Sequence, residues 1–503
     1  MQFTDIIFAV FLTVVFCLYW FLLRQKTRWQ NLLLLAASYV FYGWWDWRFL
    51  GLIILTSLTT FLTALYARGS NGRVITTFNI FLNLGILICF KYLGFFAENL
   101  GRLFNLFGLG LDWFTIEILV PVGISFYTFQ AIAYSVDVYK GRIDACRDPL
   151  AFFTFISYFP QLVAGPIERA SQLLPQISGR RYWNRDMASS GMRMIMFGLM
   201  KKVCIADILA IYVDRIFTGV ELSPIKILAG GVLFSLEIYC DFSAYSEIAR
   251  GVSRLLGIEL MVNFKFPFFS RNIPEFWRRW HISLMEWFRD YLYIPLGGNR
   301  RGKVRTALNI MIIFALSGLW HGNAWNFVLW GVYWGLFSIL ARFVLGQSVP
   351  KKSIEKTDIP NMAATFGVVA LGFYFFRCSE TIEILSGLRG FWIYIAVFTA
   401  IWGITKAAVS FRFVQTVLIW GGCLVISLIL GYVVMHNWAL LLKFWWIVPA
   451  VIASSLEWKA RNTDYPLQHV SEKEWKRLIL YTVCIFFIGI SEPTEMTFIY
   501  FQF

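Results

Sequence analysis

Four histidines occur in the 503 residues, and two stand where an imidazole could do chemistry. His321 lies in Leu316-Ser-Gly-Leu-Trp-His-Gly-Asn-Ala-Trp325, between two apolar stretches. His281 lies in Phe276-Trp-Arg-Arg-Trp-His-Ile-Ser-Leu284. Neutral imidazole can take a proton from a hydroxyl as that oxygen attacks an acyl group. Gly318 and Gly322 permit close backbone approach, and Trp320 and Trp325 are suited to exclude water. The other reading of His321 is a histidine satisfied by a hydrogen bond in a polar helix break. The spacing of the two histidines suits neither a zinc-protease helix nor a finger, so no metal site is expected. No Gly-x-Ser-x-Gly elbow lies near them, so a serine acyl-enzyme is not indicated. His436 and His469 stand near span ends and read as structural.

A basic group follows His281. Arg278, Arg279, Arg289, Arg300, Arg301, Lys303 and Arg305 surround Asp290-Tyr-Leu-Tyr-Ile-Pro-Leu-Gly-Gly-Asn299. These side chains either anchor a cytoplasmic face or recognise phosphate, for which arginine forks are well shaped.

The elements that position these residues must work in lipid. The chain is 58% apolar and 15% charged, with mean hydropathy +0.63. Those values exclude disorder, coiled coil and an ordinary cytosolic enzyme, and they fit an all-α polytopic membrane protein. Continuous apolar runs argue against a barrel, whose strands alternate. The net charge of +15 is expected of loops that orient a membrane protein rather than of nucleic-acid binding. The eight cysteines are scattered with no CxxC pair and read as small apolar residues, not disulfides or ligands.

Spans are expected near 6–23, 31–45, 49–67, 74–96, 118–139, 225–245, 307–320, 324–345, 361–377, 390–409, 413–435, 440–456 and 478–490, giving about ten to twelve true crossings. The first stretch lacks a basic leader and a cleavage site, so it is expected to be retained. Basic residues place 24–30, 68–73 and 140–148 in the cytoplasm and the N-terminus outside, with Trp44, Trp45 and Trp47 as an outer belt. Residues 165–205 read as interfacial helices and 249–305 as re-entrant or interfacial.

Together these motifs resemble the membrane-bound O-acyltransferases, in particular the alginate O-acetyltransferase type. The resemblance rests on the stretches around His281 and His321 and on Arg289-Asp-Tyr-Leu-Tyr-Ile-Pro-Leu-Gly-Gly-Asn-Arg300. It is supported by Ser38-Tyr-Val-Phe-Tyr-Gly-Trp-Trp-Asp46, Pro121-Val-Gly-Ile-Ser-Phe-Tyr-Thr-Phe-Gln130, Phe159-Pro-Gln-Leu-Val-Ala-Gly-Pro-Ile-Glu168 and Tyr239-Cys-Asp-Phe-Ser-Ala-Tyr245. It implies one membrane domain over 1–503: N-terminal spans 1–148, a core with the active site 149–345, C-terminal spans 346–490 and a tail 491–503. It implies a ring of helices around a tunnel, with His321 as catalytic histidine and His281 at the second motif position. It implies acetyl-CoA as donor with no permanently bound cofactor, and a bacterial inner-membrane location. A separate extracytoplasmic esterase-like (SGNH-type) partner would place acetyl on an exopolysaccharide such as alginate. The basic residues Arg278, Arg279, Arg289, Arg300, Arg301 and Lys303 would suit the CoA phosphates. Cys378 stands where the family leads us to expect alanine, a packing position.

The tail Ser491-Glu-Pro-Thr-Glu-Met-Thr-Phe-Ile-Tyr-Phe-Gln-Phe503 resembles the terminal aromatic motif of these transferases. It is either an interfacial anchor or the carrier of Tyr500 as an acyl relay. The same chemistry on peptidoglycan or cellulose is the alternative acceptor reading, with D-alanyl transfer further behind. A polysaccharide transporter is the alternative class, but its paired broken helices are not seen; a non-catalytic synthase scaffold is the third.

Overall fold

The computed structural model describes residues 1–24, 26–108, 119–218, 223–378, 381–410, 445–463, 465, 467, 474–491 and 498. Every regular element among them is helical. The spans expected at 413–435, and the histidines at 436 and 469, lie outside the described residues.

The N-terminal part sets the two faces of the molecule. Helix α1 (Ile6–Cys17) continues through a π-helical turn, Leu18–Leu22. Helices α2 (Thr27–Asp46) and α3 (Leu50–Tyr66) are joined by one 3₁₀ turn at Trp47–Phe49. Asp46 ends α2 because its extended backbone lets the carboxylate accept the Arg48 N–H. The 20 residues of α2 at 1.5 Å each reach about 30 Å, a hydrocarbon thickness. Thr27 and Asp46 therefore mark opposite faces. Both far ends return to the short helix α7 (Pro149–Ser157): Thr154 donates to the Asn31 carbonyl, and Phe61 meets Phe152. So α2 and α3 cross twice. Trp44, Trp45 and Trp47 are exposed at the Asp46 face, as an aromatic belt would be. At the other face Arg68 donates to the Val138 and Ile143 carbonyls and pairs with Asp144.

Helix α4 (Gly72–Leu87) runs through a π-helical turn, Ile88–Tyr92, into α5 (Leu93–Leu106). Among the described residues six helical segments are long and apolar enough to cross a membrane, the α2–α3 pair counting as one. Helix α6 (Ile124–Tyr139) occupies most of the span expected at 118–139, and almost all its side chains are buried inside the protein. It carries Ser125, Thr128, Gln130, Ser135 and Asp137, which need partners inside protein. Gln130 donates to the Phe155 carbonyl, and Ser135 accepts from Asn79 of α4.

The stretch expected to be interfacial, 165–205, forms α8 (Ala170–Ser178) and α9 (Arg185–Lys201), followed by a π-helical turn and α10 (Asp207–Phe217). Lys201 and Lys202 do not anchor a surface. α9 packs along α11 (Pro224–Leu255), which brings carboxylates to them. Lys202 pairs with Asp207 and Asp241, each at 2.7 Å, and Lys201 with Glu247 at 2.8 Å. Lys201 also reaches Glu457 on α18 (Ile447–Ala460) at 3.4 Å.

The middle is broken into the short helices α12 (Ile273–Trp277) and α13 (Ile282–Phe288). Helices α14 (Gly302–His321) and α15 (Trp325–Phe343) follow as a hairpin, then α16 (Ile359–Arg377) and α17 (Thr381–Ser410); α19 (Glu474–Ile490) is last. The α14–α15 pair is drawn close by glycine. A Cβ on Gly318 would overlap the Phe327 carbonyl, and one on Gly331 the Phe314 carbonyl. Small residues at such contacts let helix backbones touch in lipid.

Replacing Lys202 by methionine leaves Asp207 and Asp241 buried beside an apolar stem. Breaking a buried pair in this way costs about 3–5 kcal/mol, so Lys202→Met is expected to lower the thermal midpoint in detergent markedly. An unchanged midpoint would show that these ions carry no stability.

Candidate active site

His321 is the last residue of α14, 6% exposed, and the following Gly322 leaves the room that the Phe327 ring fills. The His321 ring is walled by aromatic groups: centroids of Trp320, Trp330 and Phe376 lie 4.9, 5.1 and 5.4 Å away. The His281 ring centroid is 6.4 Å away, although forty positions separate the two in the chain. His281 caps α13 with φ +44°, a left-handed conformation in a non-glycine residue. Such strain persists only where surroundings over-determine it. Here Phe242, Trp320 and Phe126 surround the ring at 4.8, 5.9 and 6.5 Å.

The irregular backbone that delivers His281 is held by protein groups. Ile282 N donates to the Asn263 carbonyl at 2.9 Å, and Ser283 Oγ donates to Asn263 Oδ1 at 2.6 Å. Ile167 N donates to Ser283 Oγ, and Met261 N to Glu168 Oε1 at 2.6 Å. Burial pushes the Glu168 carboxyl up to about 8, so it is largely protonated at neutral pH. On α13, Trp287 stacks on Phe129 at 3.9 Å and donates to its carbonyl.

A cavity of about 590 Å³ runs from His321 to Met1, Gln2 and Asp5, past Trp45, Val120 and Ser125. Trp45 belongs to the Asp46 face, so the histidine is reached from that side. At the other face a narrow polar indentation of about 20 Å³ is lined by Glu247, Arg250, Asn263 and Phe264. Phe264 stands between it and His281, with ring centroids 6.4 Å apart. The two depressions thus approach the histidine pair from opposite sides. This arrangement suits proton transfer at His321 between a ligand in the cavity and one arriving past Phe264.

Comparison with known proteins bears on this geometry. The family model of the membrane-bound O-acyltransferases matches residues 147–380, which include both histidines. The probable alginate O-acetylase AlgI of Pseudomonas putida is 36% identical over 392 residues, covering 77% of this chain and 79% of the relative. The chain belongs to the membrane-bound O-acyltransferase family. The peptidoglycan O-acetyltransferase of Helicobacter pylori is 32% identical over 420 residues, 77% of this chain and 79% of the relative. The teichoic acid D-alanyltransferase of Bacillus subtilis is 29% identical over 273 residues, 51% and 68% respectively. The protein is thus a multi-pass membrane acyltransferase.

In this membrane-bound O-acyltransferase the basic residues divide. Arg278 and Arg279 line a cleft of about 520 Å³ with Lys265, Arg271, Lys351 and Lys352. Arg289 pairs instead with Asp290 at 2.7 Å, and Arg300, Arg301 and Lys303 do not line that cleft. Glu275 is ion-paired with Arg279 and Arg271, and these cations hold its carboxyl below the usual range despite burial. Tyr500 lies outside the described residues. Phe498, two positions earlier, is buried with Lys202 Nζ 4.4 Å from its ring and Tyr245 at 5.1 Å. Cys378 is buried, its thiol donating to the Tyr374 carbonyl, as a packing residue would. Sequence reasoning missed Lys91, which lines the cavity with His321. A lone lysine inside the apolar run 74–96 was the available signal.

The Glu168 pKa has a consequence for stability. In the unfolded chain the carboxyl titrates near 4.3, so folding takes up a proton between that value and about 8. The contribution is fully present below the lower value and lost as pH rises through the upper one. Thermal stability is expected to fall from pH 6 to 9, and Glu168→Gln is expected to flatten that slope. An equal slope in both proteins would contradict a protonated Glu168.

Proposed function

We propose that this enzyme takes acetyl from cytoplasmic acetyl-CoA and passes it across the membrane for O-acetylation of an extracytoplasmic polysaccharide. The observation that carries the reading is the meeting of His321 and His281 between two depressions on opposite faces. The Arg68 face is basic and therefore cytoplasmic, which leaves the 590 Å³ cavity for the acceptor. The imidazole of His321 takes the acceptor's hydroxyl proton. The oxygen attacks the acetyl carbonyl, a C–O bond forms, the C–S bond breaks, and CoA leaves as a thiolate that regains a proton. His281 lies on the donor side of His321 and shapes the approach of the thioester. Arg278 and Arg279, in their basic cleft, suit the donor's phosphates; Arg289, Arg300, Arg301 and Lys303 suit an anchoring role.

In the same reading Tyr500 is the first acceptor. Its phenol enters the cavity, receives acetyl, and hands it to an esterase-like SGNH-type partner in the extracytoplasmic space of a bacterial inner membrane. The buried ring of Phe498 supports this, because that residue stands two positions before Tyr500 and lies inside the protein. Alginate as acceptor is favoured by the Pseudomonas putida relative. Peptidoglycan is the second reading, favoured by the Helicobacter pylori relative.

Purified protein given acetyl-CoA is expected to release CoA slowly. Loss of a general base costs about 100- to 10,000-fold, so His321→Ala is expected to fall by that factor, and near-normal turnover would remove His321 from catalysis. In cells, Tyr500→Phe is expected to abolish polymer acetylation while the protein still accumulates in the membrane. Unchanged acetylation would sink the relay.

A further inference from the structure

The last turn of α14 has carbonyls that no following helix residue can satisfy. Its neighbour across the cavity supplies the donors. Lys91 Nζ donates to the Trp320 carbonyl at 2.7 Å and to the His321 carbonyl at 3.0 Å. The adjacent Tyr92 hydroxyl donates to the Leu319 carbonyl at 2.8 Å. Three consecutive carbonyls, ending at His321 itself, are thus held by two consecutive side chains. Both come from the π-helical turn Ile88–Tyr92, a local irregularity that often marks a functional site.

Lys91 is an expensive way to cap a helix. It is 7% exposed, and among the described residues no carboxylate pairs with it. A buried cation without a counter-ion is retained at membrane depth when function requires it. Its charge also faces the negative end of the α14 dipole, where a cation is favoured. Its ammonium lies 5.9 Å from the centroid of Trp320, the ring that touches both histidines. A neutral cap such as Asn or Gly would close the helix at lower cost but would not reach across from a different span.

We infer that Lys91, seconded by Tyr92, is a positioning residue that fixes the backbone of His321 and so the place of its imidazole in the cavity. The inference rests on the reading of His321 as the general base. Lys91 acts through His321 and does not itself take part in acyl transfer. A fixed cap matters because His321 is terminal: no next turn of helix holds it, and a displacement of about 1 Å at a reacting group can cost 100-fold.

The test uses the purified full-length protein and CoA release from acetyl-CoA. Lys91→Met keeps the stem and removes the donors. Its kcat is expected to fall about 10- to 100-fold with the KM for acetyl-CoA within about twofold. Lys91→Arg, which can donate to the same carbonyls, is expected to recover most of the loss. Combined with His321→Ala, Lys91→Met is expected to cause no further loss, because groups that act as a unit are not additive. Normal kcat in Lys91→Met, with His321→Ala inactive, overturns this inference and leaves the general-base reading standing. A further drop in the double variant also overturns it, since Lys91 would then act independently. Normal turnover in His321→Ala overturns the general-base reading itself. Should Lys91→Met fail to fold, Tyr92→Phe removes a single hydroxyl. Loss of that one hydrogen bond is expected to lower kcat about 2- to 10-fold, and an unchanged kcat overturns the inference.

Discussion

Backbone and side-chain polar groups at membrane depth must find partners inside the protein. That one constraint explains most of the architecture around His321. Each irregular segment near it is stitched by side chains. Ser283 and Asn263 hold the turn that presents His281. Glu168 holds the extended run at Met261. Lys91 and Tyr92 hold the open end of α14. At the α14–α15 contact glycines set the helix spacing, as at Gly318 and Gly331.

The same constraint shapes the chemistry. The imidazole of His321 is shielded on three sides by Trp320, Trp330 and Phe376 and faces the cavity lined by Lys91 and Ser125. The cavity that reaches His321 is roomy and the indentation is narrow, with Phe264 between that indentation and His281. In the proposed reading the histidine pair separates the two approaches, so acyl transfer between compartments would need no open channel.

Much of this was legible in the chain. Hydropathy announced the spans, and the contexts of His321 and His281 carried the family resemblance. The structure joins the two histidines, which their spacing alone did not. Hydropathy does not reveal that α6 is buried in protein, because the partners of its polar residues come from elsewhere in the chain: Gln130 reaches α7, Ser135 meets α4, and Asp137 accepts from Tyr291. Lys201 and Lys202 were read as interfacial because charge counting cannot see carboxylates delivered from Asp241 and Glu247 by helix packing. Lys91 was passed over for the same reason: its partners, at 320 and 321, are far away in sequence. Local pattern identifies an element, whereas long-range pairing decides what a charge is for.

The central claim is that the His321 cavity is open to the compartment facing the N-terminus. Ser125 lines that cavity at the start of α6, so Ser125→Cys places a thiol there with little change in volume. The decisive measurement is labelling of this variant in intact cells by a small, membrane-impermeant thiol reagent, with the unsubstituted chain giving the background from its own cysteines. Labelling above background from outside the cell is expected, together with loss of acyl transfer as the adduct fills the cavity. A thiol at 125 that reacts only in inverted membranes, or in neither orientation, would contradict it.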